Sequence, residues 1–299
     1  MTDKPAQTEK PLAMYTRHSR KWLHNRYVYP VISRRSGGLS IGINLNPDKI
    51  CNFGCVYCQV ERSSDDQQPE PVDVAIVQAE LRDLLQSVTD GTLWEDSFFD
   101  DVPKDKRVLR DIAFSGDAEP TSSPSFLAVV LAAAEMKRAF SLWDVKLVLI
   151  TNATLLTRSS VAEALLVIKA NNGEIWAKLD AGTPEYYKLV NQPVIPFARV
   201  LENILMAGRQ QPIVIQTMVA SISGKPFPVN EQEDYIHKLT ELINLGCRIT
   251  RIQLYTVARD PGESNLPENC DVKAVDVSYM SDFKSRINQH LNSVQVDTY

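Results

Sequence analysis

The sequence predicts an α/β fold built on a parallel sheet, and three observations predict it. Short apolar, β-branched runs recur at residues 39–45, 111–115, 145–151, 174–179, 213–219 and 249–255. Six short, largely apolar runs of this sort suit buried parallel strands. Segments with helical spacing and recognisable start and stop signals lie between them. Six strand–helix units in series imply right-handed crossovers. Strand order is not legible from one chain, so an open doubly wound sheet and a partial barrel both fit.

The helices follow in order. Asp73 opens a stretch in which Ile76, Leu81, Leu84, Leu85 and Val88 can face a core. Ser123 and Pro124 suit the cap and first helical position before residues 126–136. Ser160 and Glu163 have the spacing of a capping box, and residues 171–173 close that helix. Pro196 opens a helix that runs to about Gly208. Asn230 is expected to cap another, with Ile236, Leu239 and Ile243 on one stripe and Gly246 at its end. A last amphipathic helix is expected over 274–291, through Met280, Phe283 and Ile287.

With 299 residues, 44% hydrophobic and 23% charged, the chain has the composition of an ordinary globular protein. One large domain at 39–299 is expected, preceded by a basic extension at 1–38. Residues 1–38 hold eight Lys/Arg against two Asp/Glu, a balance of +6, which leaves −11 for the rest of the net −5. That arm suits a polyanion such as RNA, through Arg17, Arg20, Arg34 and Arg35, or is simply a solvated terminus. No run approaches the roughly 18 apolar residues of a membrane span. The N-terminus lacks the apolar core of a secretory signal. Five cysteines, three of them clustered, do not make a disulfide framework. A reducing cytoplasm is the expected setting.

The clustered cysteines carry the chemistry. Cys51, Cys55 and Cys58 follow the first run directly, with Gly54 expected to ease a tight turn. Three thiolates at these spacings can wrap a cubane and ligate three of its four irons, leaving the fourth open. A structural zinc site normally takes four protein ligands, and His18, His24, His237 and His290 are scattered. A non-enzymatic iron–sulfur or zinc-binding module is the alternative.

CxxxCxxC with an aromatic residue, Tyr57, before its last cysteine resembles the signature of the radical S-adenosylmethionine (SAM) superfamily. The resemblance implies a partial (β/α)6 TIM-like barrel with the cluster loop after its first strand. It implies a [4Fe–4S] cluster on Cys51, Cys55 and Cys58, with SAM chelating the open iron. Reductive cleavage of SAM then yields a 5′-deoxyadenosyl radical that abstracts a substrate hydrogen. An electron donor such as flavodoxin or ferredoxin is implied as a partner. Within the superfamily the chain looks most like the tRNA wyosine-synthase-like oxidoreductases. It departs from them in having no cysteine before Cys51 for a second cluster. A relative with another substrate is therefore expected, with tRNA base modification as the variant reading.

Further motifs sit at strand ends, where parallel α/β enzymes place their sites. Ser115-Gly116-Asp117-Ala118-Glu119-Pro120 resembles the family's GGEP turn, which holds the SAM amino group; as a bare sequence it is also a polar turn. Thr151 and Asn152 suit ribose hydroxyls, or turn chemistry. Lys178 and Asp180 alternate around Leu179, so both could point inward, to bind SAM or substrate, to act on a proton, or as a buried ion pair. Gln216 is a polar residue in an apolar strand, for SAM or for a satisfied core contact. The apolar residues of the sixth run are expected to form an adenine slot, with Tyr255 and Arg259 nearer the substrate. Cys247 reads as core, and Cys270 lies in the long loop at 259–273.

Overall fold

The computed structural model describes residues 20, 22–62, 71–262 and 270–299. All six expected strands form: β2 (Gly38–Ile43), β3 (Leu109–Phe114), β4 (Lys146–Thr151), β5 (Glu174–Lys178), β6 (Ile213–Met218) and β9 (Ile249–Tyr255). They lie side by side in that order, all parallel. Two edge strands complete the eight-stranded sheet. β1 (Val28–Ser33) pairs antiparallel with β2, and β11 (Gln295–Thr298) pairs parallel with β9. The sheet therefore begins before residue 39, inside the stretch assigned to the basic extension. Its ends are not paired to each other, and one cavity is lined from β1 round to Tyr299 beyond β11, so the sheet is a partial barrel.

Side-chain parity sets the layers. Ile112, Phe114, Leu147, Leu149, Ile175, Ala177, Ile215, Ile252 and Leu254 face outward into the main core beneath the helices. Those helices are α1 (Val74–Asp90), α2 (Phe126–Ala139), α3 (Ser159–Ala170), α4 (Pro184–Asn191), α5 (Phe197–Gln210), α6 (Val229–Asn244) and α7 (Val277–His290). The opposite parity fills the barrel with Ala113, Val148, Trp176 and Val214. The apolar residues of β9 thus pack in the core rather than form a slot for a ligand.

Several local expectations need correcting. α2 starts at Phe126 with Ser125 as N-cap, because Pro120–Ser122 forms a 3-10 turn first. The Ser160–Glu163 box does not form: Arg158 is the N-cap, which puts Ser160 inside the helix. Pro228, not Asn230, precedes α6. α7 starts at Val277, since Ala274 ends a short strand β10 (Val272–Ala274), which joins β7 (Ala220–Ile222) and β8 (Lys225–Pro226) in a small separate sheet. α4 was not foreseen. Asp73 does cap α1, accepting from the N–H groups of Ala75 and Ile76.

Two carboxylates fasten the barrel. Glu80 on α1 accepts from the backbone N–H groups of Arg26, Tyr27 and Val28 at 2.7–2.9 Å, which anchors the start of β1. Glu174 at the barrel floor meets Lys146 at 2.5 Å, the Trp176 indole N–H at 2.8 Å and Arg251 at 3.3 Å. Burial alone would raise the Glu174 pKa, but the hydrogen bonds from Lys146 and Trp176 and the charges of Lys146 and Arg251 hold it below its ordinary 4.5. A carboxyl with a lowered folded pKa stabilises the fold fully above its unfolded value and loses that contribution as pH falls. Glu174→Gln should therefore melt below the wild type at pH 7, and the gap should narrow as pH drops below about 4.5. A pH-independent gap in thermal melts from pH 3 to 7 would contradict this origin.

Candidate functional site

The cysteine loop leaves the top of β2 and is held from three sides. Towards α4, the N–H groups of Gly54 and Val56 donate to the carbonyls of Asn191 (3.0 Å) and Val190 (2.9 Å), and Phe53 bridges Pro193. Gly54 is not in a left-handed conformation. Its missing side chain makes room for Gln192, whose Cβ and Oε1 would lie 3.3 Å from any added Cβ. Towards β4, Asn52 donates to the Thr154 hydroxyl and accepts from Asn152, both at 2.7 Å. Towards the turn after β3, the Arg62 guanidinium donates to the Asp117 carbonyl at 2.8 Å and to the Cys58 sulfur at 3.0 Å.

Under the loop lies a buried anion. Asp180 is 2% exposed and accepts from the Met218 N–H (2.8 Å), the Asn191 amide (2.9 Å) and the Tyr57 hydroxyl. The same Asn191 amide reaches the Cys55 sulfur at 3.4 Å. Burial raises the Tyr57 hydroxyl well above its ordinary pKa, pushes the Cys55 thiol up to about 12 and raises Cys51. The Lys178 ammonium sits 5.0 Å from the Tyr57 ring centre and 6.0 Å from that of Tyr255. Burial works to lower its pKa, but the charges of Tyr255, Asp180, Cys55 and Cys58 outweigh that and raise it. No Lys178–Asp180 ion pair forms: Lys178 rests on aromatic faces while Asp180 is taken up beneath the loop.

The turn after β3 is bound to the end of β4 by Glu119. Its buried carboxylate accepts from Thr121 N–H and Oγ1, Thr151 Oγ1 and Asn152 N–H, at 2.5–3.2 Å. Burial still raises its pKa despite these donors. Gly116 is required by close approach, since an added Cβ would meet Asn44 Oδ1 at 2.2 Å. Asp117 accepts from Asn44 (2.6 Å) and Arg20 (2.7 Å), and Arg20 is joined at the site by Tyr29, Arg34 and Arg35 from the same N-terminal stretch.

These elements enclose a cavity of about 290 Å³. Its lining includes Cys51, Cys55, Cys58, Tyr57, Ser115, Gly116, Asp117, Glu119, Thr151, Asn152, Lys178, Tyr255 and Arg259. Two expected residues stand outside that lining. Asp180 lies under the loop as described. Gln216 is fully buried and donates to Gln253 at 2.8 Å, leaving Gln216 Oε1 and Gln253 Nε2 without partners. Cys247 is core, and Cys270 packs against the small apolar cluster that contains Tyr57, Met218, Ile222 and Val272. Sequence reading missed Asn191 and Arg62. Asn191 had no local signal, because the contact that ties it to the cysteine loop spans 136 residues; Arg62 was not singled out, since one basic residue after the third cysteine carries no signal of its own.

Among the described residues no group of three or more His, Cys, Asp or Glu side chains is set as a single-ion site. No described helix is long and apolar enough to cross a membrane. If Asn191 holds Asp180 in place, Asn191→Leu should cost about 1–3 kcal/mol in denaturant unfolding, because a buried charge loses a donor. A double-mutant cycle with Asp180→Asn should then show coupling of about 1 kcal/mol or more; simple additivity would contradict the contact's importance.

The family model described as the Radical SAM superfamily matches residues 45–221, more than half of the chain. A UPF0026 protein of Methanocaldococcus jannaschii is 30% identical over 55% of this chain and 43% of its own length. The chain spans less than half the length of the first curated relatives it matches. Among solved structures, a radical SAM methyltransferase from Sphaerobacter thermophilus aligns at TM-score 0.60 and 9% identity, over 91% of this chain and 68% of that one, a likeness of fold. A TYW1 structure with a bound lysine–pyruvate adduct aligns at TM-score 0.49 and 14% identity, over 85% and 74%; at that distance it carries nothing about substrate. The match, which runs through the cysteine loop and four of the six parallel strand ends, is decisive: the chain belongs to the radical SAM superfamily of enzymes.

Proposed function

We propose that Cys51, Cys55 and Cys58 hold a [4Fe–4S] cluster and that the adjoining cavity binds SAM. Bound there, the two would supply reductive cleavage of SAM and a 5′-deoxyadenosyl radical able to abstract hydrogen from a substrate. The observation that carries the reading is the donor chemistry around the thiols. All three line the cavity, and two receive N–H groups: Cys58 from Arg62 and Cys55 from Asn191. Such donors stabilise sulfur in its charged form and tune a cluster's potential.

The chain's other residues divide the remaining work. The Arg62 clamp and the Asn191–Asp180 pair fix the loop, so the thiols need little reorganisation to accept a cluster. Ser115, Gly116 and Asp117 present the turn after β3 to the cofactor's methionine end, and Glu119 orients that turn against Thr151 and Asn152. Tyr57 lies between the loop and Lys178. Lys178, Tyr255 and Arg259 are the groups left for substrate, with Lys178 kept protonated by its neighbours. Asp180 acts as a positioning residue through Tyr57, and Gln216 acts on the barrel interior through Gln253. An external one-electron donor, such as flavodoxin or ferredoxin, supplies the electron.

Anaerobic reconstitution with iron and sulfide, followed by dithionite and SAM, should yield 5′-deoxyadenosine. The product should vanish when Cys51, Cys55 and Cys58 are all changed to Ala. A protein that loads zinc rather than iron, or that carries a complete cluster and yields no 5′-deoxyadenosine with varied reductants, would favour a metal-binding module instead.

A further inference from the structure

The cavity's charge is uneven. Arg20, Arg34, Arg35, Arg62, Lys178 and Arg259 all line it. Its carboxylates are already engaged. Asp117 is held by Arg20 and Asn44, Glu119 by Thr121, Thr151 and Asn152, and Asp111 by Ser40. Arg35 and Arg259 make no ion pair among the described residues. Arg35 lies 5.7 Å from the Trp176 ring centre and 5.5 Å from that of Tyr255, pinned by two aromatic faces, and its charge is felt by Asp111. Arg259, just past β9, has a buried Nε with no hydrogen-bond partner.

We propose that Arg35 and Arg259 form an anion subsite for the substrate, a small molecule bearing a carboxylate or phosphate group. The inference rests on the radical SAM reading of the same cavity and names the substrate class it would act on. Burial and repulsion from Arg20, Arg34 and Arg35 pull the Arg259 pKa down to about 10. Like charges crowded in a low-dielectric cleft are relieved by a bound counter-charge, and a guanidinium fork matches two oxygens of a carboxylate or phosphate. Lys178 responds to Cys55 and Cys58, whereas Arg259 responds to Tyr29 and the arginines of the arm and the β1–β2 turn. The cofactor's own carboxylate belongs beside the cysteines, which leaves the Arg35–Arg259 end for substrate.

The test is calorimetric titration of the full, reconstituted chain with inorganic pyrophosphate and with citrate, at fixed ionic strength and without reductant. At least one probe should bind one-to-one. Binding should weaken at least about tenfold in Arg35→Gln and in Arg259→Gln, and less in Arg259→Lys. Arg199→Gln, at an exposed ion pair outside the cavity, should bind as the wild type does. Thermal melts establish that each variant is folded. Preference for pyrophosphate assigns a phosphate-bearing substrate, and preference for citrate a carboxylate. Equal binding by all variants, no binding of either probe by the folded wild type, or binding of a tRNA transcript alone would overturn the proposal. Because no turnover is measured, a protein that binds the probe but yields no 5′-deoxyadenosine would fault the radical reading and leave the anion site standing.

Discussion

The arrangement at the top of this barrel depends on one buried charge. Asp180 is nearly sealed from water, and an anion in that position is tolerated only when donors surround it. The three it finds come from different places: the Met218 N–H at the end of β6, the Asn191 amide on α4, and the Tyr57 hydroxyl in the cysteine loop. Satisfying one carboxylate thereby sets the loop's height over the barrel and the distance between α4 and the thiols. It also leaves Lys178 free to lie against Tyr57 and face the cavity.

The barrel interior continues the same logic in layers. At the floor, Glu174 gathers Lys146, Trp176 and Arg251 into a compensated network. Above it, Ala113, Val148, Trp176 and Val214 pack as an apolar belt, of which Ala113 and Trp176 also line the bottom of the cavity. Above that belt the cavity opens with an excess of guanidinium groups and few free carboxylates. Compensation below and imbalance above separate structure from function: the balanced layer holds strands together, and the unbalanced one is built to receive charge from outside.

Much of this was legible from the chain. The six parallel strands come from largely apolar runs too long to be turns and too short to be helices, and each formed within two residues of its expected ends. The cysteine spacing pointed to the loop whose three thiols line the cavity. Edge strands β1 and β11 were not legible, because β1 holds Tyr29 and Pro30 in a basic stretch and β11 alternates polar and apolar residues over only four positions. The roles of Asp180 and Asn191 were hidden for a different reason. A carboxylate at a strand end looks the same whether it faces a ligand or a tyrosine 123 residues away. Arg34 and Arg35 read as part of a basic arm suited to a polyanion or simply packed, and the β1–β2 turn carries them to the cavity lining.

The account stands on a cluster with an open iron at Cys51, Cys55 and Cys58. The most direct measurement is the electron paramagnetic resonance spectrum of the reduced, reconstituted protein before and after SAM is added. A reduced [4Fe–4S] signal that changes shape on SAM addition is the predicted result, because SAM would then ligate the open iron. A signal indifferent to SAM, or iron that never assembles on the three thiols, would contradict it.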